Sequence, residues 1–207
     1  MVKKLFFLGL VVGSVLLLSS IANANEEKEA TKALSMGAEG TLVIADFNSW
    51  DDTNNLGGAF GGWAKNPDDP TQQCLIEITD EDKVGDKGNS LKLNYRVDSP
   101  TPAYNGFWMK LQDADFSPYR YLVISVKGVA DAGFTPRFKI EIKNKQKEAG
   151  HYILTGITDK WQQFVIPLKD FGLTDLQQMG EFVIVFDDVR CRPKVGAIYI
   201  DDIYISK

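Results

Sequence analysis

Two kinds of chemistry are within reach of the side chains in this 207-residue chain: bond hydrolysis between facing carboxylates, and stacking of rings on an apolar ligand face. Glycoside hydrolysis or elimination needs two carboxylates across one cleft. Glu77 and Glu141 are the strand acids to consider, but neither belongs to a compact acidic motif. Glu141 lies between Lys139 and Lys143, which reads as ion pairing. A serine triad would have to use His151, the single histidine, and no serine occupies a nucleophile-elbow motif. The glycines at Gly57, Gly58, Gly61 and Gly62 lack the lysine, the following serine or threonine and the helix of a phosphate loop. No catalytic residue is assigned, and a hydrolase or lyase is the weakest reading.

Binding asks for other residues. Ligand pockets combine apolar walls with a few placed polar groups. A sugar suits that mixture, because it has an apolar C–H face and a rim of hydroxyls. Rings to cover the face are Trp63, Tyr104 and Trp108. Groups to meet the rim are Arg137, Lys139, Glu141, His151 and Tyr152. Asn94 and Arg96 are expected on the same surface, with Trp50 and Trp63 at its edge.

The elements that must position these groups read as strands. "RFKIEIK" (137–143) alternates most cleanly: Phe138, Ile140 and Ile142 face one way, Arg137, Lys139, Glu141 and Lys143 the other. "SLKLNYRV" turns Leu91, Leu93, Tyr95 and Val97 inward, and "YNGFWMKL" sets Phe107, Met109 and Leu111 against Trp108 and Lys110. "TLVIADF", "CLIEI", "YLVISVKG", "HYILTGI", "WQQFVIPL", "EFVIVF" and "AIYIDDIYI" complete roughly ten strands separated by turn-forming clusters. The fold class expected is all-β, two antiparallel sheets packed face to face. Only "DLQQMG" (175–180) suggests a short helix, and 47–74 reads as a long ordered loop after the first strand.

The chain starts with Lys3 and Lys4, an apolar run from Leu5 to Leu18 and small residues at Ala22 and Ala24. That is the layout of a signal peptide over residues 1–24. The run is shorter than the roughly 20 residues of a membrane span. Residues 25–40 read as a flexible leader and 41–207 as one domain. The protein is expected to be exported, to the periplasm or beyond. A net charge of −5 argues against a nucleic-acid footprint, which needs a basic stripe. In an oxidising compartment Cys74 and Cys191 are candidates for a disulfide that anchors the long loop.

Taken in order, "VIADFNSWDD", "NNLGG", "YNGFWMKL", "YRYLVISVKG", "TDKWQQFVIPLKDF" and "GAIYIDDIYIS" resemble the galactose-binding-like jelly roll. The family 11 carbohydrate-binding modules and the sugar-binding-like domain of complex I intermediate-associated proteins are the nearest comparisons. The resemblance spans nearly all of 42–206 and implies a noncatalytic β-sandwich that binds a polysaccharide or oligosaccharide, with a structural calcium ion near the meeting of first and last strands. Carried onto this chain, it points to Asp46, Asn48 and Asp202, with Asn48 where the family has an acid. The complex I relatives imply an alternative role in assembly, through binding to envelope proteins.

Overall fold

Eleven strands are present in the computed structural model, which describes residues 40–207. The expected signal peptide and all of the leader except Gly40 lie outside the described residues. One sheet has the order β3 (Cys74–Thr79), β4 (Ser90–Arg96), β11 (Val195–Ser206), β6 (Tyr121–Gly128), β9 (Gln162–Pro167), and β1 (Thr41–Ala45) pairs the C-terminal part of β11. The other has the order β2 (Phe60–Ala64), β5 (Tyr104–Ala114), β10 (Met179–Asp187), β7 (Arg137–Asn144), β8 (Ala149–Thr155). Every pairing is antiparallel.

Alternation explains why the sheets pack. Phe107, Met109, Phe138, Ile140, Phe182, Ile184 and Phe186 point inward from the five-stranded sheet, all fully buried. Leu91, Leu93, Tyr95, Ile124, Ile198 and Ile200 meet them from the six-stranded sheet. Tyr95 stacks on Phe186 across the interface, ring centroids 4.4 Å apart. Burying a side chain of this size contributes about 1.5–3 kcal/mol.

Three expectations are corrected. The stretch after β1 is not all loop: its "FGGWA" segment forms β2 along β5. Two adjacent glycines hide the strand pattern there, because only pairing to β5 defines it. "DLQQMG" is not helical; its first part is a bend with Asp175 Oδ1 accepting the Gln177 N–H, and Met179 already begins β10. The helical turns are instead 3-10 segments at Ala130–Ala132 and Leu168–Phe171. Finally, Cys74 and Cys191 are free, buried thiols and not a disulfide. Burial raises both, Cys191 to about 11.

Candidate functional site

The outward face of the five-stranded sheet is a grid of cross-strand pairs. One row reads Gly61, Trp108, Val183, Glu141, His151 from β2 to β8. The next reads Trp63, Gly106, Val185, Lys139, Ile153. Lys110, Glu181 and Lys143 flank these rows at one end of the strands. Tyr104 and Asp187 flank them at the other. Trp63, Trp108, Val183, Val185, Glu141 and Lys139 all line a cleft of about 650 Å³, walled by Glu181 with Lys143 and by the Asp187–Arg190 turn.

Each tryptophan of the cleft stands opposite a glycine on the partner strand. A Cβ on Gly61 would lie 3.2 Å from Cζ2 and Nε1 of Trp108. One on Gly106 would lie 3.2 Å from Trp63 Nε1. The two indoles therefore lie against the sheet where partner side chains are missing. Trp63 also packs on Tyr104 at 5.9 Å, and Lys110 Nζ stands 5.4 Å from the Trp108 ring centre. Val183 and Val185 supply an apolar floor beside the rings.

The polar wall is fixed by ion pairs. Lys110 and Lys143 hold Glu181 at 2.8 and 3.1 Å, and Lys139 holds Glu141 at 2.6 Å. Burial pushes the Glu181 carboxyl up, but the hydrogen bonds from Lys110 and Lys143 outweigh it and keep the group below its ordinary value. At the other end Asp187 accepts the backbone N–H groups of Val189 and Arg190 and pairs with the Arg190 guanidinium at 2.6 Å. Arg137 Nε donates to Arg190 O at 3.2 Å, joining β7 to this turn.

Of the residues picked from sequence, Trp63, Tyr104, Trp108, Lys139 and Glu141 line the cleft. Arg137 braces its rim, and His151 stands exposed on the edge strand β8, in the row of Glu141. Tyr152 is placed differently: it pairs with Ile140 and packs on Phe171 at 5.9 Å, on the core side. Asn94 and Arg96 belong to β4, in the opposite sheet, as does the Glu77–Lys92 pair on β3 and β4. Glu77 and Glu141 therefore do not share a cleft. Trp50 is 66% exposed on the loop after β1 and does not line the cleft. Glu181, Val183, Val185 and the Asp187–Arg190 turn were not picked. Their signal was the odd-numbered polar and small residues of "EFVIVFD" alternating with Phe182, Ile184 and Phe186.

The model for carbohydrate binding domain 30 matches residues 49–207, which takes in β2 to β11 and with them the whole cleft. The chain belongs to this family. As a member of carbohydrate binding domain 30 it is a noncatalytic glycan-binding module. Solved structures agree in fold. The family 11 carbohydrate-binding module of the cellulosomal cellulase Lic26A-Cel5E of Clostridium thermocellum is 19% identical, with a TM-score of 0.59 over 82% of this chain and 96% of that one. The same figures, with 97% of that chain covered, hold for the family 11 module from Clostridium thermocellum in complex with a β-1,3-1,4-mixed-linked tetrasaccharide. An exo-β-agarase matches at 15% identity and a TM-score of 0.54, over 81% of this chain and 25% of its own. No curated protein matches the chain.

The calcium expectation concerns a different place, where β1 meets a bulge in β11. Asp201 and Asp202 lie at that bulge, and Asp202 and Phe47 both have left-handed backbone. Burial raises the Asp202 carboxyl, and the negative charge of Asp46 raises it further. Among the described residues no ion pair engages Asp46, Asp201 or Asp202. Nor do three His, Cys, Asp or Glu side chains there converge as a metal cluster. Asp201 spends its oxygens on the N–H groups of Val84 and Asp202. Asp46 Oδ1 accepts the Asn48 N–H and Asn48 Oδ1 accepts the Asn89 N–H, so the oxygens left are the second Asp46 oxygen and the Asp202 carboxylate, with the Asn48 amide oxygen shared. These are hard oxygens of the type calcium takes, with the rest of a shell to come from backbone carbonyls and water. Two neighbouring carboxylates without a cation fit such an ion.

Proposed function

We propose that this domain binds a single glycan chain across its five-stranded sheet, with sugar rings seated on Trp108 and Trp63. The observation that carries the reading is the pair of indoles laid on Gly61 and Gly106, on one face of adjacent strands, inside the 650 Å³ cleft. Flat aromatic surfaces take the C–H faces of sugars, and the ionic wall takes hydroxyls. The chain would run from the β2 edge towards His151 on β8, because both ends of β10 are occupied by walls. A family 11 module is described in complex with a mixed-linked β-1,3-1,4 tetrasaccharide, so soluble β-glucan is the first ligand to try.

Two further parts of the reading accompany it. Calcium, held by Asp46, Asn48 and Asp202, would neutralise the carboxylates at the β1–β11 junction and so act on stability. The basic and apolar start of the chain supports export, which places the module where polysaccharides are met.

The test is calorimetric titration of the protein with β-glucan, xylan and mannan oligosaccharides, in calcium and in chelator. Saturable binding that Trp108→Ala removes is the expected result. Binding that survives Trp108→Ala, or no binding to any glycan, would refute the assignment of this cleft.

A further inference from the structure

Five side chains on three adjacent strands form an unbroken alternation of charge. Lys110 Nζ on β5 bonds Glu181 Oε1 on β10, and Glu181 Oε2 accepts from Lys143 Nζ on β7. Lys143 Nζ also stands 3.6 Å from Glu141 Oε2, while Glu141 Oε1 pairs with Lys139 Nζ. Lys143 is the one ammonium of the five-membered chain that reaches both carboxylates. Partly exposed pairs of this kind add little to stability. Their effect is on orientation.

Each ionised carboxylate oxygen has room for two donors. Here each of the four has one ammonium neighbour, which leaves one position per oxygen for a ligand. Every such position has an N–H beside it. An acceptor and a donor side by side match two adjacent hydroxyls: one donates to the carboxylate and its neighbour accepts from the ammonium. A hexose linked through carbons 1 and 4 keeps hydroxyls 2 and 3 free and adjacent. Linked through 1 and 3, it keeps 2 and 4, which are not adjacent.

We infer that Lys143 is a specificity-determining positioning residue: by tethering Glu141 and Glu181 together it sets this wall to read the vicinal diol of a 1,4-linked sugar beside Trp108. The inference rests on the proposal that glycan occupies this cleft. The experiment compares the 1,4-linked cellohexaose with the 1,3-linked laminarihexaose, on the protein and on Lys143→Met, Lys143→Arg and Trp108→Ala. The protein should prefer cellohexaose. Lys143→Met should weaken cellohexaose about tenfold, the scale of one hydrogen bond to a charged group, and move laminarihexaose by less than about twofold. Lys143→Arg should restore most of the preference. Binding by Lys143→Met should also weaken as pH falls into the carboxylate range, because Glu181 then keeps only Lys110 from β5 and still faces Glu141 from β7. Equal losses for both hexamers, or none, with both abolished by Trp108→Ala, would overturn the role of Lys143 and leave the site standing. Indifference of both to Trp108→Ala, or no binding by the protein, would overturn the site and this inference with it.

Discussion

Gly61→Ala is a fine test of the ring platform, because it adds one methyl group beneath Trp108 and removes nothing. The new Cβ would sit 3.2 Å from Cζ2 and Nε1 and 3.3 Å from Cε2 of the indole. Carbon atoms prefer about 3.5–4.0 Å, so the ring must rise by a few tenths of an ångström. Trp108 is half-buried and lines the cleft, so the ring has somewhere to go. Overpacking costs about 1–3 kcal/mol in a closed core, and alanine recovers about 0.5–1 kcal/mol over glycine in a strand. The net loss should be about 1 kcal/mol or less, a fall of about 2–4 °C in Tm for a domain of this size. Binding should respond more clearly. A hot-spot aromatic carries about 2 kcal/mol or more, and a radial gap of about 0.5–1 Å forfeits a quarter to a half of a contact. Gly61→Ala should therefore weaken glycan about two- to fivefold, whereas Trp108→Ala should cost about thirtyfold at the least and take binding below detection. Calorimetric titration beside a thermal melt separates the two effects. Unchanged affinity in both variants, with folding intact, would refute the platform.

Gly106→Ala should behave quite differently. Its Cβ would lie 1.8 Å from the Ile184 carbonyl oxygen, a backbone atom in the β5–β10 ladder. Loss of about 3 kcal/mol or more is expected, read as a collapse of Tm or of soluble yield. At the β1–β11 junction, burial raises Asp201 from an ordinary 3.8 to about 7. A raised carboxyl favours the protonated fold, so in chelator stability should fall as pH climbs from about 4 to about 7. Asp69, held near 2 by hydrogen bonds from Thr71 and Gln72, acts only below that window. Thermal melts in chelator at pH 5 and pH 8 should show the lower Tm at pH 8, with calcium raising it there. Equal values, with no response to calcium, would refute both the titration and the ion. For the thiols, alkylation of native protein without reductant should be slow at both Cys74 and Cys191 and complete after denaturation. Failure to react in denaturant would mean that they are paired.

Much of this was legible because strands announce their faces. Phe138, Ile140 and Ile142 assigned β7, and with it the outward set Arg137, Lys139 and Glu141. Pairing is what a single strand cannot announce. Tyr152 looked like a partner for His151, but adjacent strand residues point to opposite faces, so one of the two had to enter the core. Asn94 and Arg96 had the right polarity on the wrong sheet. Glu181 sits in a segment dominated by Phe182, Val183, Ile184, Val185 and Phe186, and its outward position shows only once β10 lies between β5 and β7. Strand β2 was the hardest to see, because Gly61 and Gly62 carry no side chain to alternate. Their function is visible only through Trp108 and Gly106 across the ladder.

Among the described residues, the strands that end the five-stranded sheet, β2 and β8, have no neighbour beyond them in that sheet. A chain crossing from one edge to the other has no terminus to satisfy, so any stretch of a long polymer can occupy the site. Each additional overlapping stretch is another equivalent way to bind. Apparent affinity per polymer molecule should then climb with polymer length after the cleft is full, by about 1.4 kcal/mol for each tenfold increase in available stretches. That gain comes from counting alone. It lets one small cleft of modest strength stay on a large polysaccharide while still releasing short fragments.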